Sequence, residues 1–530
     1  MLIVVLVIFV IIVAAYWLLI TPLSHWEKRG IPYVKGLPIV GNFFWHTMKQ
    51  TTFGDELVKI YNTYPEKKLY GMFMFNTPTI LVRDLDMLKN ILIKQFEYFV
   101  DHSNSLFQED INPMLDKNLF SLKGNKWRDM RATLSPTFTG SKMRGMFQLI
   151  NEVGEQFVDY FKNEIQTKNN GKPMNVELKD ILTRFTNDVI ASAAFGVKCD
   201  SLRDRNNEFY RMGAKVSNLS TWRMFINNFC PKLAKFFRIG LIPNEVCDYL
   251  RNIVIETIKM RERENIVRPD MLQLLLDAKN GTIKQDKQKI ETDNSFAAVE
   301  ESNYTQIKKR IYLDEDDVAA QAFVFFMGGF DTVSIAMCFS VYELALHPEL
   351  QERLYLENEQ VLSENNGKLT YDVLNKMKYL DMVISETLRK YPPPIFLDRI
   401  CDKPYTVQID GKEITLEKGT ILTIPLYAMH TDPNYFPEPE KFDPHRFSDE
   451  NADKIVPLTY IPFGSGPRNC IASRFALMEA KTAVYFMVKH FEILPNEKSI
   501  IPPRITTKRI NVTMEDGFHV TLKPRNQGFI

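Results

Sequence analysis

The feature that most constrains this chain is a short loop near its C-terminal end that contains one cysteine. Two glycines and a proline break the loop, an arginine lies two residues before the sulfur, and a predicted helix begins near Ile471. Glycine lets the backbone turn sharply and approach a flat group closely. The positive N-terminal end of the helix favours the thiolate form of the cysteine. The loop reads Phe463-Gly464-Ser465-Gly466-Pro467-Arg468-Asn469-Cys470-Ile471-Ala472.

The cysteine of this loop, Cys470, differs from the other five cysteines, which we interpret as small buried side chains. The six are scattered without Cys-x-x-Cys pairs, a pattern that fits neither a disulfide framework nor a zinc site. A thiolate can be the axial ligand of a haem iron, where its electron donation favours cleavage of the O–O bond. Arg468 can pair with a haem propionate and offset the negative sulfur. The pattern therefore predicts that Cys470 binds haem iron.

The N-terminal run from Leu2 to Ile20 has nineteen residues and no charge. As a helix it would span about 28 Å, close to the hydrocarbon thickness of a membrane. Trp26, Lys28 and Arg29 follow it, and aromatics and positive charges at this place predict that the body stays in the cytosol. A cleaved signal peptide is the alternative. The length of the run and the lack of a small-x-small site after it argue against that alternative.

The remaining composition indicates one large domain, because no Gly/Ser- or Pro-rich linker divides the middle of the 530-residue chain. Its net charge of +1 argues against nucleic acid as a partner. We predict a membrane anchor at 1–21, a proline- and glycine-rich hinge at 22–42 and a catalytic domain at 43–530. Within that domain, residues 68–82 are typical of a β-hairpin, and the polar stretch 281–310 is typical of a surface excursion.

The longest apolar pattern predicts one helix over residues 317–346, with acidic residues at its start and apolar residues almost all round. Such a helix is buried. Its centre contains Gly328 and Gly329, which cost about 1 kcal/mol each relative to alanine in a helix but leave room for a planar group. Asp331 and Thr332 follow, and polar groups in an apolar setting need partners. A hydroxyl that faces a cofactor can transfer protons.

The cysteine loop resembles the haem-binding loop of the cytochrome P-450 family. The family usually has glycine two residues after the cysteine, where this chain has Ala472, so a slightly tighter helix start is expected. The centre of the long helix is similar to the oxygen-activating helix of the family. That resemblance implies proton delivery by Thr332 with Asp331 as its acidic neighbour, and places Gly328 and Gly329 against the cofactor.

Four further positions match haem contacts of the family. Trp127 and Arg131 are spaced i, i+4 on one helix face and match a Trp-x-x-x-Arg motif that binds propionates. Arg399, which follows a run of three prolines, matches another propionate partner. Phe463 lies at the start of the cysteine loop. A packed tryptophan beside a solvated arginine is the alternative for the first pair.

Glu386, Arg389 and Arg446 match a Glu-Arg-Arg triad of the family. The resemblance implies that this triad is structural, a buried ion network that supports the region of the cysteine loop. Removal of one partner would strand a buried charge. We therefore predict that these residues determine the fold and do not take part in catalysis.

The resemblance covers nearly the whole chain. It implies a mainly α fold with a small β-rich portion, the cytochrome P-450 fold behind an N-terminal transmembrane anchor. It also implies haem b as cofactor and insertion of one oxygen atom from O2 into an apolar small molecule, such as a xenobiotic or an endogenous lipid. The stretch 131–139 is similar to the branch with insect detoxification and vertebrate drug-metabolising enzymes, which are microsomal. We therefore expect the endoplasmic reticulum membrane, with the catalytic domain facing the cytosol.

The source of electrons follows from a missing motif. The sequence has no Gly-x-Gly-x-x-Gly dinucleotide fingerprint, so NADPH is expected to act through a flavoprotein reductase, with cytochrome b5 as a second possible donor. A basic patch with a net charge of +5 suits an acidic reductase. A solvated basic face is the alternative. The charged residues between Ser121 and Arg144 are Lys123, Lys126, Arg128, Arg131, Lys142 and Arg144 against Asp129.

Substrate contacts are expected from three apolar segments, with ordinary core packing as the alternative. Other functions remain open: a haem-thiolate isomerase or dehydratase, which needs no external electrons, and a haem-binding sensor or carrier. A cysteine hydrolase lacks a histidine that clearly pairs with Cys470. The substrate candidates are Phe107, Ile111 and Leu119 from a loop, Phe326 and Phe330 from the long helix, and Ile395 and Phe396 after the prolines.

Overall fold

The architecture comes from a computed structural model that describes residues 2–103, 111–217, 220–281, 295–299, 312–409 and 411–525. Phe107 and most of the predicted excursion 281–310 lie outside these residues. The described part is mainly helical, as the sequence predicts. Its α-helices are α1 (Leu2–Ala15), α2 (Phe44–Thr47), α3 (Phe53–Tyr61), α4 (Leu85–Lys89), α5 (Pro113–Asp116), α6 (Gly124–Leu134), α7 (Gly140–Lys168), α8 (Leu178–Ile190), α9 (Glu208–Ser217), α10 (Thr221–Phe229), α11 (Pro231–Phe236), α12 (Asn244–Glu264), α13 (Met271–Lys279), α14 (Glu315–Phe330), α15 (Thr332–Leu346), α16 (Pro348–Glu364), α17 (Tyr371–Leu374), α18 (Lys378–Lys390), α19 (Leu426–His430) and α20 (Ser473–His490).

The strands form small sheets at the edges of the helical body. One sheet has the order β1-β2-β7-β4, a second has the order β3-β9-β8, and β5 and β6 form a pair. The predicted hairpin is present, since β1 and β2 pair antiparallel. The strands are β1 (Leu69–Met74), β2 (Thr77–Val82), β3 (Met174–Glu177), β4 (Leu397–Ile400), β5 (Tyr405–Ile409), β6 (Lys412–Leu416), β7 (Ile421–Ile424), β8 (Phe491–Pro495) and β9 (His519–Pro524).

The proposed hinge is in contact with this first sheet. The backbone NH of Val34 donates to the Gly71 carbonyl at 2.9 Å, and Gly71 NH donates to the Pro32 carbonyl at 2.7 Å. The Trp26 ring is buried, and it lies where a Cβ at Gly71 would be, so only glycine fits under the ring. The segment after the N-terminal helix is therefore partly fastened to β1 and does not run freely away from the body.

The span 315–346 passes through the middle of the molecule. Among the residues the structure describes, this is the one helix that is long and apolar enough to cross a membrane. Most of its most apolar stretch is nevertheless buried in the protein. The α15 half packs against α8, α18 and α20, as a core helix does. Asp314 caps the helix in a reciprocal capping box with Asp317, so the predicted acidic start is present.

The predicted single helix is interrupted at Asp331, between α14 and α15. The Thr332 hydroxyl donates to the Gly328 carbonyl, and the Thr186 hydroxyl of α8 donates to the Phe330 carbonyl at 3.1 Å. These bonds satisfy two carbonyls at the interruption, and the glycine pair weakens the helix just before it. Hydropathy alone could not reveal the break, because the apolar pattern continues through it.

The predicted triad is assembled behind the cysteine loop. Arg389 forms two hydrogen bonds of 2.7 Å with the Glu386 carboxylate, and both side chains are fully buried. Arg446 Nε lies 3.5 Å from the same carboxylate. Arg389 also donates to the His430 carbonyl at 3.0 Å. Because burial outweighs these partners, the pKa of Glu386 is raised, which shows how strongly the carboxylate depends on its cations.

Candidate active site

The cysteine loop takes a conformation that requires its glycines. Gly464 and Gly466 have φ values of +75° and +74°, in the left-handed region that glycine adopts without strain. A Cβ at Gly466 would also overlap the Leu92 carbonyl oxygen. The loop closes on itself through a hydrogen bond of 2.8 Å from Cys470 NH to the Phe463 carbonyl. The predicted sharp turn is therefore confirmed at both glycines, and their close approach to a flat group stays a prediction.

Cys470 is the exposed cysteine among the six, all of which lie in described parts of the chain, and none is joined in a disulfide. Burial raises the pKa of Cys199 and Cys247 to about 12, that of Cys401 to about 11, and that of Cys338 well above its ordinary value. Those four remain thiols. Cys470 instead lies three residues before the first turn of α20, whose N-terminal end is positive.

Arg131 joins α6 to the residue before the cysteine. Its two terminal nitrogens donate to the backbone carbonyl and the side-chain oxygen of Asn469, at 2.7 and 2.6 Å. Trp127 lies one turn earlier and is fully buried, so both residues point inward, as the i, i+4 spacing predicts. Nothing in the sequence singles out Asn469, which fixes the loop to α6.

Arg468, a residue of the loop itself, lies over the Trp127 ring. Its guanidinium lies 4.5 Å from the Trp127 ring centre and donates to the carbonyls of Val100, Leu119 and Leu122 at 3.0, 3.0 and 2.6 Å. Burial, with repulsion from Arg399, lowers the pKa of Arg468. A carboxylate near this arginine would therefore be strongly favoured. The present hydrogen bonds of Arg468 already connect the loop that contains Cys470 to the segment around residues 100–122.

Arg399 on β4 is buried and lacks a full set of partners. One terminal nitrogen donates to the Asp398 carbonyl at 2.7 Å, and Nε is buried with no hydrogen-bond acceptor within the described residues. The neighbouring Asp398 carboxylate is 2.9 Å from His102 Nδ1. Burial raises the pKa of Asp398, but His102 and Ser103 outweigh it and lower that pKa overall. No sequence pattern indicates this His102–Asp398 pair, because its members are distant in the chain.

The centre of the long helix carries an ion pair that the sequence did not indicate. Lys179 Nζ on α8 lies 2.6 Å from the Asp331 carboxylate and donates to the Ser334 hydroxyl at 2.7 Å. Asp331 and Thr332 are both partly exposed, so neither is sealed in the core. Gly328 has no heavy atom within 4 Å of an added Cβ, whereas Gly329 is pressed against Ile190 at 2.8 Å. The open side of the helix is therefore at Gly328.

The described substrate candidates are packed against other parts of the protein. Phe326 and Phe330 are buried 5.2 Å apart, and both rings press on Gly213 of α9. Phe396 packs on Phe53 at 6.0 Å, and Ile395 is buried beside it in the chain. Ile111 and Leu119 are also buried, with Leu119 NH donating to Gln321 of α14 at 2.9 Å. Their role in substrate binding stays a prediction.

These residues fit haem. One thiol at the start of a helix supplies an axial ligand, and buried guanidinium groups suit two propionates. The orphaned Nε of Arg399 and the open side of Gly328 are observations that a planar dicarboxylate would satisfy.

Two glycine substitutions separate strain from overlap in the cysteine loop. Both Gly464→Ala and Gly466→Ala place alanine in the left-handed region, which costs about 1–2 kcal/mol. At Gly464 the nearest atom to the new methyl is 3.6 Å away, but at Gly466 the methyl meets the Leu92 carbonyl. We expect a clearly larger drop in thermal midpoint and in haem retained after gel filtration for Gly466→Ala. Equal effects of the two variants would contradict the overlap.

Comparison with known proteins agrees with this site. The family model for cytochrome P450 matches residues 31–521. The chain is 44% identical to cytochrome P450 9e2 of Blattella germanica over 95% of this chain and 94% of that protein. It is 39% identical to probable cytochrome P450 9f2 of Drosophila melanogaster, over 95% of each chain. It is 37% identical to cytochrome P450 6k1 of Blattella germanica, over 96% of this chain and 95% of the relative.

Family membership implies haem as cofactor, a redox partner and an apolar substrate, and it disfavours the isomerase, sensor and hydrolase alternatives. The fastened cysteine loop, the match over nearly the whole body and the insect relatives agree with one another. The chain belongs to the cytochrome P450 family, as a haem-thiolate monooxygenase of the insect branch that its sequence resembles.

Proposed function

We propose that Cys470 is the thiolate ligand of the haem, and that the protein oxidises apolar small molecules with O2 and electrons from NADPH. The observation that carries this proposal is the exposure of Cys470 beside the buried, hydrogen-bonded Arg468 and Asn469. When bound, the haem supplies the activation of O2. The chain supplies an anionic sulfur, a closed loop that holds it and a positive helix end that favours its charge.

Trp127, Arg131, Arg399 and Arg468 would hold the propionates, with Phe463 beside the sulfur. The proposal is supported by the burial of all three guanidinium groups and by the Nε of Arg399, which has no acceptor among the described residues. Asp101 lies 3.7 Å from Arg468 and Asp398 is engaged by His102, so a propionate would complete the charge balance. Buried charges are stable only when paired.

Replacing the sulfur tests the proposed ligand. In Cys470→Ser the hydroxyl is a far weaker donor, so the reduced, CO-bound protein should lose the absorption that is typical of thiolate-ligated haem. Cys230→Ser is the matched control, because Cys230 is the other cysteine that is not fully buried. An unchanged spectrum in Cys470→Ser would overturn the assignment.

Thr332 is proposed to deliver protons through its hydroxyl, with Asp331 as the neighbouring acid. Its Oγ1 already donates to the Gly328 carbonyl at the open side of the helix, which supports a hydroxyl aimed along the cofactor face. Lys179 Nζ lies 2.6 Å from the Asp331 carboxylate and fixes its position next to Thr332.

Removing this hydroxyl should uncouple NADPH consumption from product formation. Proton transfer by a positioned group contributes about 10²–10⁴-fold, so Thr332→Ala should lower the ratio of product to NADPH consumed by at least tenfold. Thr332→Ser retains the hydroxyl and should stay close to the original protein. Parallel losses in both variants would point to packing and away from proton delivery.

The exposed side of α6 is proposed to dock the flavoprotein reductase, and cytochrome b5 would suit the same surface. Arg131 belongs to the inner face, because it is buried against Asn469, and Arg144 is paired with Asp372 at 2.8 Å. The docking surface is therefore smaller than the sequence count indicates. Because α6 contacts the residue before Cys470, its outer face is near the proposed ligand. The other basic residues of this stretch are Lys123 just before α6, Lys126 and Arg128 on α6, and Lys142 on α7.

Charge reversal tests this surface. In Lys123→Glu/Lys126→Glu/Arg128→Glu the rate of haem reduction by reductase should fall about tenfold or more at low salt, and the difference should shrink at high salt. Lys259→Glu/Arg263→Glu/Lys498→Glu applies the same charge change at exposed positions elsewhere. If both triple variants are reduced at the same rate, α6 is not the docking surface.

We further propose that residues 1–21 anchor the protein in the endoplasmic reticulum membrane, with residues 22–42 as the connection and 43–530 in the cytosol. Described side chains of α1 and its continuation are exposed and apolar, for example Ile3 at 77% and Trp17 at 65%. Exposed apolar surface on this scale needs a cover such as lipid. Release of the full chain from microsomes by alkaline carbonate would contradict the anchor.

A further inference from the structure

Residues 295–299, which we call the clasp, pack against the body between two stretches that the structure does not describe. Ser295 and Ala297 are buried, and Phe296 and Ala298 are half-buried against the core. The sequence predicts a surface excursion here, since the surrounding residues are polar. At these five residues the chain is instead held by specific contacts with the body.

The polar contacts of the clasp converge on one ion pair. Lys481 of α20 and Asp381 of α18 are 2.8 Å apart, with the lysine almost fully buried. The backbone NH of Phe296 donates to the second Asp381 oxygen at 2.9 Å, and Lys481 Nζ donates to the Ser295 hydroxyl at 2.7 Å. A turn closes the clasp with a hydrogen bond of 3.0 Å from Ala298 NH to the Ser295 carbonyl. The clasp therefore completes an ion pair that links two helices.

The aromatic contacts of the clasp are made by Phe296. Phe296 packs edge-on against Phe447 at 5.0 Å and lies 5.6 Å from Tyr460. Phe447 and Tyr460 are themselves 4.8 Å apart. Aromatic pairs in these geometries are favourable beyond the area that they bury. Phe447 directly follows Arg446 of the triad in the chain. The Phe296 ring therefore packs against the region that supports the cysteine loop.

Tyr460 leads from the clasp to the proposed ligand. Its hydroxyl donates to the Ser385 carbonyl at 3.0 Å, and its ring stacks on His430 at 5.4 Å. Burial lowers the pKa of His430 to about 3, so the ring is neutral and its Nε2 can accept from Ile461 NH at 3.2 Å. The next hydrogen bonds along the chain are those that close the loop, from Gly464 NH to the Ile461 carbonyl and from Cys470 NH to the Phe463 carbonyl.

We propose that the clasp is a positioning element for Cys470, which braces the residues that enter the cysteine loop. The inference rests on Cys470 being the haem ligand. Loss of the clasp contacts would leave the fold in place but would allow Tyr460 and Ile461 to shift, and the sulfur would then lose its iron more readily. A segment that only fills a surface groove would instead affect all parts of the protein equally.

The test measures how fast the reduced, CO-bound protein loses its thiolate signature in mild urea, with the global thermal midpoint measured in parallel. We expect Phe296→Ala to accelerate that loss about tenfold, since two aromatic contacts are removed. Phe44→Ala, which truncates another half-buried ring that contacts Trp45, should leave the rate unchanged. Phe296→Leu and Ser295→Ala keep most of the packing and should give intermediate rates, so the test does not depend on Phe296→Ala folding.

Three outcomes are decisive. Faster loss in Phe296→Ala, Phe296→Leu and Ser295→Ala, without a matching change in the Phe44→Ala control, supports the clasp. Rates equal to those of Phe44→Ala, or rates that simply follow the global thermal midpoint, overturn it. Absence of the thiolate signature in the unmodified protein would overturn the proposed ligand instead, so the two failures are distinguishable.

Discussion

The cysteine loop depends on two buried arginines that hold it in place. One belongs to the loop and the other to α6. Arg131 of α6 holds Asn469 by two hydrogen bonds, and Arg468 of the loop reaches three carbonyls of the segment before α6. Arg468 lies against the Trp127 ring, and Arg131 lies one turn after Trp127 in α6. Multiple charge-assisted hydrogen bonds define position more sharply than packing alone. The sulfur is thereby placed by a rigid frame before any cofactor contributes.

The long central helix, which we propose as the second wall of the site, follows another principle. The long central helix is continuous in hydropathy but broken in hydrogen bonding, and α8 supports the break by Thr186 at a carbonyl and Lys179 at a carboxylate. An unsupported break in the core would leave buried polar groups without partners. Hydrogen bonds hold the cysteine loop rigidly. The proposed second wall has a supported break in its helix and supplies polar groups.

Local sequence patterns predicted those features whose cause is local. The hairpin at β1 and β2, the capped start of α14, the glycines at positive φ and the shared face of Trp127 and Arg131 all follow from residues close together in the chain. The partners Asn469, Lys179 and His102 could not be predicted, since each meets its counterpart only after distant segments pack. The break at Asp331 was missed because apolar periodicity does not register lost hydrogen bonds. The fold and most cofactor contacts came from the resemblance and not from physical pattern.

The parallel pairing of β2 with β7 has a consequence for biosynthesis. Thr79 lies opposite Ile421, so the first sheet has no third strand until most of the polypeptide has left the ribosome. Closing so large a loop costs conformational entropy, so this pairing forms slowly. Until it forms, the exposed strand edges favour association with other chains. β4, which carries Arg399, joins the sheet only through β7. We therefore expect the nascent chain to complete this sheet, and with it the place of Arg399, only when synthesis is nearly finished.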